Sequence, residues 1–126
     1  MVSGGFSIIH IGHIRLIQEA SEYGEVIVAL NSNEWLSRKQ GSPQIPWIER
    51  AEVLSALRHV SKVMPVEDGD GTVCKALERV KPTYFANGGD RTEADPREHA
   101  ACERLGIVEL FGVGGGKIRS SREFIR

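Results

Sequence analysis

Short apolar runs alternate along this chain with segments whose apolar residues recur every third or fourth position, which predicts strand–helix units in series. Residues 1–3 read as the end of a first strand, followed by Gly4-Gly5. Ile14, Leu16, Ile17, Ala20 and Tyr23 fall at helical spacing and predict a helix over 13–23, stopped by Gly24. The run 26–30 is continuously apolar and of strand length, the pattern of a strand buried on both faces. The stretch 31–44 is polar and predicts the longest loop, a place where function tends to reside. Pro46 opens a helix through about residue 59, in which Ile48, Ala51, Leu54 and Leu57 recur in helical steps with Val53 beside them.

The second half continues the pattern. Residues 62–66 read as a strand whose far end Pro65 weakens. Asp70 is placed to cap a helix running to residue 80, closed by Pro82. A short strand over 84–86 leads into Asn87-Gly88-Gly89-Asp90, Asp95-Pro96 opens a helix ended by Gly106, and 107–111 is the last strand. A glycine turn over 112–116 precedes a short terminal helix from Ser120. Strands alternating with helices imply an α/β fold: one Rossmann-like domain, a parallel five-stranded sheet with helices on both faces. Ligands of such folds sit at the carboxyl ends of the strands.

Composition narrows the classes. A chain of 126 residues suits one domain, here 1–126. The formal net charge of -1 offers no footprint for nucleic acid or for a membrane surface. No apolar run approaches the ~20 residues of a bilayer span, and no leader pattern is visible. Cys74 and Cys102 lie far apart and form no C-x-x-C, which reads as reduced thiols in a cytoplasmic protein.

The chemistry gathers at the strand ends. Gly4-Gly5-Phe6-Ser7-Ile8-Ile9-His10-Ile11-Gly12-His13 joins the first strand to the first helix. Glycines there let backbone N–H groups approach a phosphate, and a helix start favours negative charge. Two imidazoles at that start can donate to phosphate oxygens as charge builds during transfer. Lys39, a point charge on a flexible stem, suits a phosphate but equally suits solvent beside Arg38. Arg50 can reach a ligand or pair with Glu49 or Glu52 on its own helix. Asp90 is either near a ligand or a plain turn aspartate. Lys117, Ser120 and Ser121 after three glycines make an anion site or simply a capped helix. That last segment is not a Walker A loop, since Phe111 and Ile118 stand where the pattern wants glycine and serine or threonine. His99 and Cys102 share a helical face without the partners a zinc site needs.

These residues resemble the signature of the cytidylyltransferase-like superfamily, whose usual pattern is G-x-F-D-x-x-H-x-G-H. The segment 31–41, Ile48-Glu49-Arg50, Asn87-Gly88-Gly89-Asp90 and Gly116-Lys117-Ile118-Arg119-Ser120-Ser121 resemble, in order, further motifs of glycerol-3-phosphate cytidylyltransferases and heptose-phosphate adenylyltransferases. The resemblance implies strand order 3-2-1-4-5 and transfer of CMP or AMP from CTP or ATP to a phosphorylated small molecule such as a sugar or polyol phosphate, with pyrophosphate released. It implies catalytic roles for His10, His13 and Lys39. Nucleotide binding falls to Gly5, Phe6, Gly12, Arg50, Gly88, Asp90, Lys117, Ser120 and Ser121. It also implies a magnesium ion bridging phosphates and a homodimer. Three departures stand out: Ser7 and Asn33 occupy positions where aspartate is usual, and Arg119 and Arg122 flank the serines. They motivate an alternative reading, a nucleotide-binding module or sensor with impaired catalysis. A fragment of an aminoacyl-tRNA synthetase shares the H-x-G-H logic, but the chain lacks length and a basic face for tRNA.

Overall fold

The structure is a computed structural model and describes residues 1–41, 45–88 and 95–115. In chain order the elements are β1 (Val2–Gly4), α1 (Ile11–Ala20), β2 (Val26–Leu30), α2 (Asn33–Gln40), α3 (Trp47–Ser55), β3 (Val60–Pro65), α4 (Cys74–Val80), β4 (Tyr84–Gly88), α5 (Pro96–Leu105) and β5 (Val108–Val113).

All three strand pairings are parallel: β1 with β2, β2 with β3, and β4 with β5. The regular ladders form one sheet of order β1-β2-β3 and a second of β4-β5. The two meet where the Met1 ammonium donates to the Tyr84 carbonyl at 2.7 Å and the Ala86 N–H to the Met1 carbonyl at 2.9 Å. The neighbour order is therefore 3-2-1-4-5, as the resemblance implied, but β1 contributes only three residues and its junction with β4 is not a regular ladder. Pro65 ends β3 at the edge of the sheet, a place that tolerates a residue without an N–H.

Side-chain alternation divides the core into two layers. Val28 and Leu30 of β2 and Ala86 of β4 point to the face covered by Ile17 and Ala20 of α1 and Ala51 and Leu54 of α3. Ala29 and Phe85 point to the other face, covered by Ala76 and Leu77 of α4 and Ala101 and Cys102 of α5. Helices thus lie on both faces of a Rossmann-like α/β fold.

The structure redraws several elements. The stretch 31–44 is not a continuous loop, because α2 fills 33–40 within it. Ser32 caps that helix through its Oγ, which accepts from the Trp35 N–H at 3.1 Å, and Gly41 ends it with φ of 76°. The first helix begins two residues earlier than its apolar pattern, at Ile11, because His10 caps it. Asp70 caps no helix; its carboxylate closes a turn on the Thr72 N–H and hydroxyl at 2.8 and 2.9 Å, and α4 starts only at Cys74. On α3 the buried face is Arg50, Ala51 and Leu54, while Ile48 and Val53 face outward. Asp95, Pro96 and Gly106 bound α5 as the sequence pattern predicts. The expected helix from Ser120 lies outside the described residues.

Candidate active site

The carboxyl end of every strand carries a residue of chemical or steric note. Gly4 ends β1 and Gly5 follows it, Asn31 follows β2, Asp68 lies beyond β3, Gly88 ends β4, and Gly114 follows β5. Loop and first helix are built around two imidazoles. His10 is the N-cap of α1, and its Nδ1 accepts from the Gly12 N–H at 3.1 Å. His13, one turn on, accepts from the His10 N–H through its own Nδ1 at 3.3 Å. The rings stack with centroids 3.9 Å apart and planes 25° from parallel. A neutral imidazole whose Nδ1 accepts carries its proton on Nε2. Each ring therefore carries its proton on Nε2. Burial, and secondly the neighbouring His10, push the His13 imidazole down to about 4, so it is neutral near neutral pH.

Glycines and a strained residue shape the corner. A Cβ at Gly12 would lie 3.0 Å from Cε1 of His10, and one at Gly5 would lie 2.9 Å from Cδ1 of Leu36 and 3.2 Å from Cζ3 of Trp35. Phe6 holds φ of 46°, a region that bulky residues rarely occupy. Its ring is buried and tilted against His13, centroids 4.9 Å apart. Such strain persists where surroundings over-determine it. Phe6 is thus placed under His13.

Arg50 lies beneath the corner. It is 2% exposed and pairs with neither Glu49 nor Glu52. Its Nε donates to the Ile45 carbonyl at 2.9 Å, Nη1 to the Gly5 and Asn31 carbonyls at 2.7 and 3.0 Å, and Nη2 to Oδ1 of Asn33 at 3.0 Å. Burial pulls the guanidinium below its ordinary value and Asp68 opposes this; an arginine stays charged either way. Arg50 braces the glycine loop from beneath.

Lys39 occupies the last turn of α2, exposed, with its ammonium 4.9 Å from the Trp35 ring centroid. Ser7 is buried, and its Oγ accepts from Nε2 of Gln40 at 3.2 Å. Gly88 packs so closely that a Cβ there would lie 3.0 Å from Leu16 and 3.1 Å from the Val113 carbonyl. Gly88 therefore sets the β4–β5 end against α1. Asp90, Lys117, Ser120 and Ser121 lie outside the described residues. The structure thus brings together His10, His13, Gly5, Phe6 and Gly12, with Leu36 and Trp35 of α2 packed against Gly5 and the Lys39 ammonium beside the Trp35 ring.

Sequence reasoning missed Asp68 and Gln40 altogether. Asp68, 4% exposed, accepts from Nδ2 of Asn31 at 2.9 Å and from the Ser32 N–H and Oγ at 2.9 and 2.6 Å. Its carbonyl also takes Nη2 of Arg38 at 3.2 Å. Asn33 accepts from the Trp47 N–H at 2.8 Å as well as from Arg50, so its amide oxygen joins α2 to α3. A sequence signal for α2 did exist: Ser32 at the cap, Glu34 in the first turn, Arg38 and Lys39 in the last, and Gly41 as a stop. No described group of three or more His, Cys, Asp or Glu could hold a metal ion. A cleft of about 270 Å³ between Tyr23, Val26, Lys81 and Tyr84 opens at the opposite, amino edge and contains none of these site residues.

A parallel sheet with helices on both faces, a glycine corner and an imidazole pair at its first helix defines a Rossmann-like α/β domain. The chain belongs to the cytidylyltransferase-like family, whose match covers residues 1–112. It is 38% identical over 93 residues to the FAD synthase of Pyrococcus abyssi, covering 72% of this chain and 62% of that protein. It is also 38% identical over 93 residues to the bifunctional protein HldE of Geobacter metallireducens, covering 71% of this chain and 19% of that protein. The matched region therefore spans less than two thirds of these relatives. Among solved structures, the lipopolysaccharide core biosynthesis protein of Thermoplasma volcanium superposes with a TM-score of 0.72 at 26% identity, over 89% of this chain and 91% of that one. No described helix is long and apolar enough to cross a membrane.

Proposed function

We propose that this chain is a nucleotidyltransferase that moves AMP or CMP from ATP or CTP onto a phosphorylated small molecule. The observation that carries this reading is the stacked pair His10 and His13 on the glycine corner, each with its proton on Nε2. An acceptor phosphate oxygen attacks the α-phosphorus in line. One P–O bond forms, the bond to the β-phosphate breaks, and pyrophosphate leaves. The two Nε2–H donors and the Lys39 ammonium stabilise charge on the α-phosphoryl oxygens, and positioning does much of the rest. Lys117, Ser120 and Ser121 are assigned to the leaving pyrophosphate on the strength of their sequence motif alone.

Similarity to an FAD synthase favours ATP as donor, since FAD joins an adenylate to a flavin phosphate. Magnesium belongs to the proposal as an ion carried by the triphosphate, which suits its preference for phosphate and water over protein ligands. The imidazoles and ammonium of this corner supply nitrogen rather than hard oxygen, so they fit the ion's phosphates and not the ion itself. Exposed Ile45, Ile48 and Val53 support self-association as a dimer. A cytoplasmic location accords with the reduced thiols Cys74 and Cys102.

The test is a pyrophosphate-release screen crossing four nucleoside triphosphates with sugar, polyol and flavin phosphates. One donor–acceptor pair should turn over, and His10→Ala or His13→Ala should lower kcat about 10²–10³-fold with the fold retained. Triphosphate binding without release for any acceptor would favour the sensor reading instead.

A further inference from the structure

His99 on α5 and Glu109 on β5 take no part in the chemistry above. Glu109 stands opposite Phe85 in the parallel register, so both side chains point to the face covered by α5. That face is apolar, with Phe85, Ala101 and Cys102 buried in it, yet the Glu109 side chain is only 9% exposed. Its Oε1 lies 2.6 Å from Nδ1 of His99, and its Oε2 is buried with no hydrogen bond among the described residues. Nε2 of His99 lies 2.8 Å from Oε1 of Glu103, one turn further along α5. A neutral imidazole has one N–H and one lone pair. It can satisfy one of these carboxylates only by setting its lone pair against the other. The imidazolium alone donates to both when both are ionised.

We propose that His99 is a pH-sensitive clasp: as imidazolium it bridges Glu103 and Glu109 and holds strand β5 against α5, and loss of its proton opens that hold. The proposal is independent of the nucleotidyltransferase reading. Glu103 is exposed, so solvent screens its share of the bridge. Glu109 differs, because a buried carboxylate regains little solvation while the strand stays in place. Losing its donor therefore favours the opened strand. The bond to Glu109, and then Glu103, raises the imidazole above its ordinary 6.5, the direction in which a clasp stays closed in acid and opens as pH rises. The other charged groups of α5 are engaged elsewhere: Arg97 with Asp95, Glu98 with the Val73 N–H, and Arg104 with Glu78 of α4. Burial, and secondly Glu109, pushes the Cys102 thiol up to about 11, so it is neutral; Cys74 of α4 stands near it. From β4, Phe85 brings no charge. Among the described residues β5 pairs only with β4, which makes it an outer strand. Just beyond it Gly114 donates to Glu19 of α1 and lies against the Leu16 backbone, in the helix that carries His13.

Two measurements on the whole chain, neither needing a substrate, test the clasp. Nitrogen-15 NMR of the His99 ring, assigned by its loss in His99→Gln, should show both nitrogens protonated in acid and a midpoint above pH 6.5. Glu109→Gln should bring that midpoint down, and Glu103→Gln should lower it less. Amide exchange over residues 108–113, corrected for its intrinsic pH dependence, should report the opening of the strand. Linkage sets the size of the effect: the opening constant should rise about tenfold for each pH unit by which the His99 midpoint exceeds 6.5. The rise should vanish in His99→Gln and in Glu109→Gln, since a side-chain amide can donate to or accept from a neutral ring. A wild-type midpoint at or below 6.5 would overturn the clasp. So would an exchange step that keeps its size in Glu109→Gln, or a raised midpoint with no exchange step at all, because the ion pair would then hold nothing.

Discussion

Replacing Arg50 with alanine should unfold much of what makes the corner, and the size of the effect follows from its partners. The guanidinium donates to Gly5, Asn31 and Ile45 carbonyls and to the Asn33 side chain, all at 2.7 to 3.0 Å. A hydrogen bond from a charged donor contributes ~1.5–3 kcal/mol net. Some carbonyls regain water, so the four do not sum. A buried acceptor left unsatisfied costs ~1–3 kcal/mol, so about 3–5 kcal/mol in all is expected from the oxygens that Arg50 leaves behind. Against a total stability of roughly 5–15 kcal/mol that is a large fraction. At this chain length it corresponds to a Tm lower by roughly 10–20 °C. Arg50→Lys should recover less than half, because one ammonium cannot span four acceptors set around a planar fork. Differential scanning calorimetry with and without triphosphate is the assay. If Arg50→Ala keeps the wild-type Tm yet binds triphosphate far more weakly, the guanidinium serves the ligand and the brace is wrong.

Acidification and glycine replacement give further tests. An unfolded histidine takes its proton near pH 6.5, whereas His13 in the folded chain takes it only near 4. The unfolded state binds more protons between those values, so stability is intact above about pH 6.5 and declines on acidification toward 4, by at most about 3 kcal/mol. His99, raised chiefly by its bond to Glu109, works the other way, its contribution present in acid and lost as pH rises through its folded value. Urea unfolding from pH 4.5 to 7 should therefore show a shallower acid decline in His13→Asn than in wild type, and equal slopes would count against a depressed His13. Gly114→Ala would set a Cβ 2.7 Å from the Leu16 nitrogen at φ of 87°, against helix backbone that cannot yield, and should cost about 2 kcal/mol or more. Gly5→Ala meets mainly the movable tip of Leu36, so its stability loss should be smaller and its loss of turnover larger.

The alternation of 26–30 with helical segments carried the fold because two-faced burial leaves a continuous apolar run. Short contacts between Gly5, Gly12 and their neighbours were legible as glycine, though not what they make room for. Helix α2 escaped notice because only Leu36 on it is buried, so no apolar stripe announces it; capping residues alone mark it. Arg50 misled for a related reason. Its partners are carbonyls at residues 5, 31 and 45, and backbone acceptors leave no trace in side-chain spacing. Ile48 belongs to the helical repeat and Val53 lies beside it, yet both face outward, while the charged Arg50 is buried.

The spacing of the two histidines has a reason that precedes catalysis. An N-cap and the third helical residue are three positions apart in any helix that closes its start reciprocally. Here both places are filled by imidazole, and between them stands a glycine at which a Cβ would crowd the His10 ring at 3.0 Å. The H-x-G-H signature is thus the arithmetic of a helix beginning, written with side chains that keep a second nitrogen in reserve. Sliding either histidine by one residue would uncap the helix as well as misplace a donor. A sequence of this kind cannot drift toward a different spacing by small steps, because folding and chemistry depend on the same four positions.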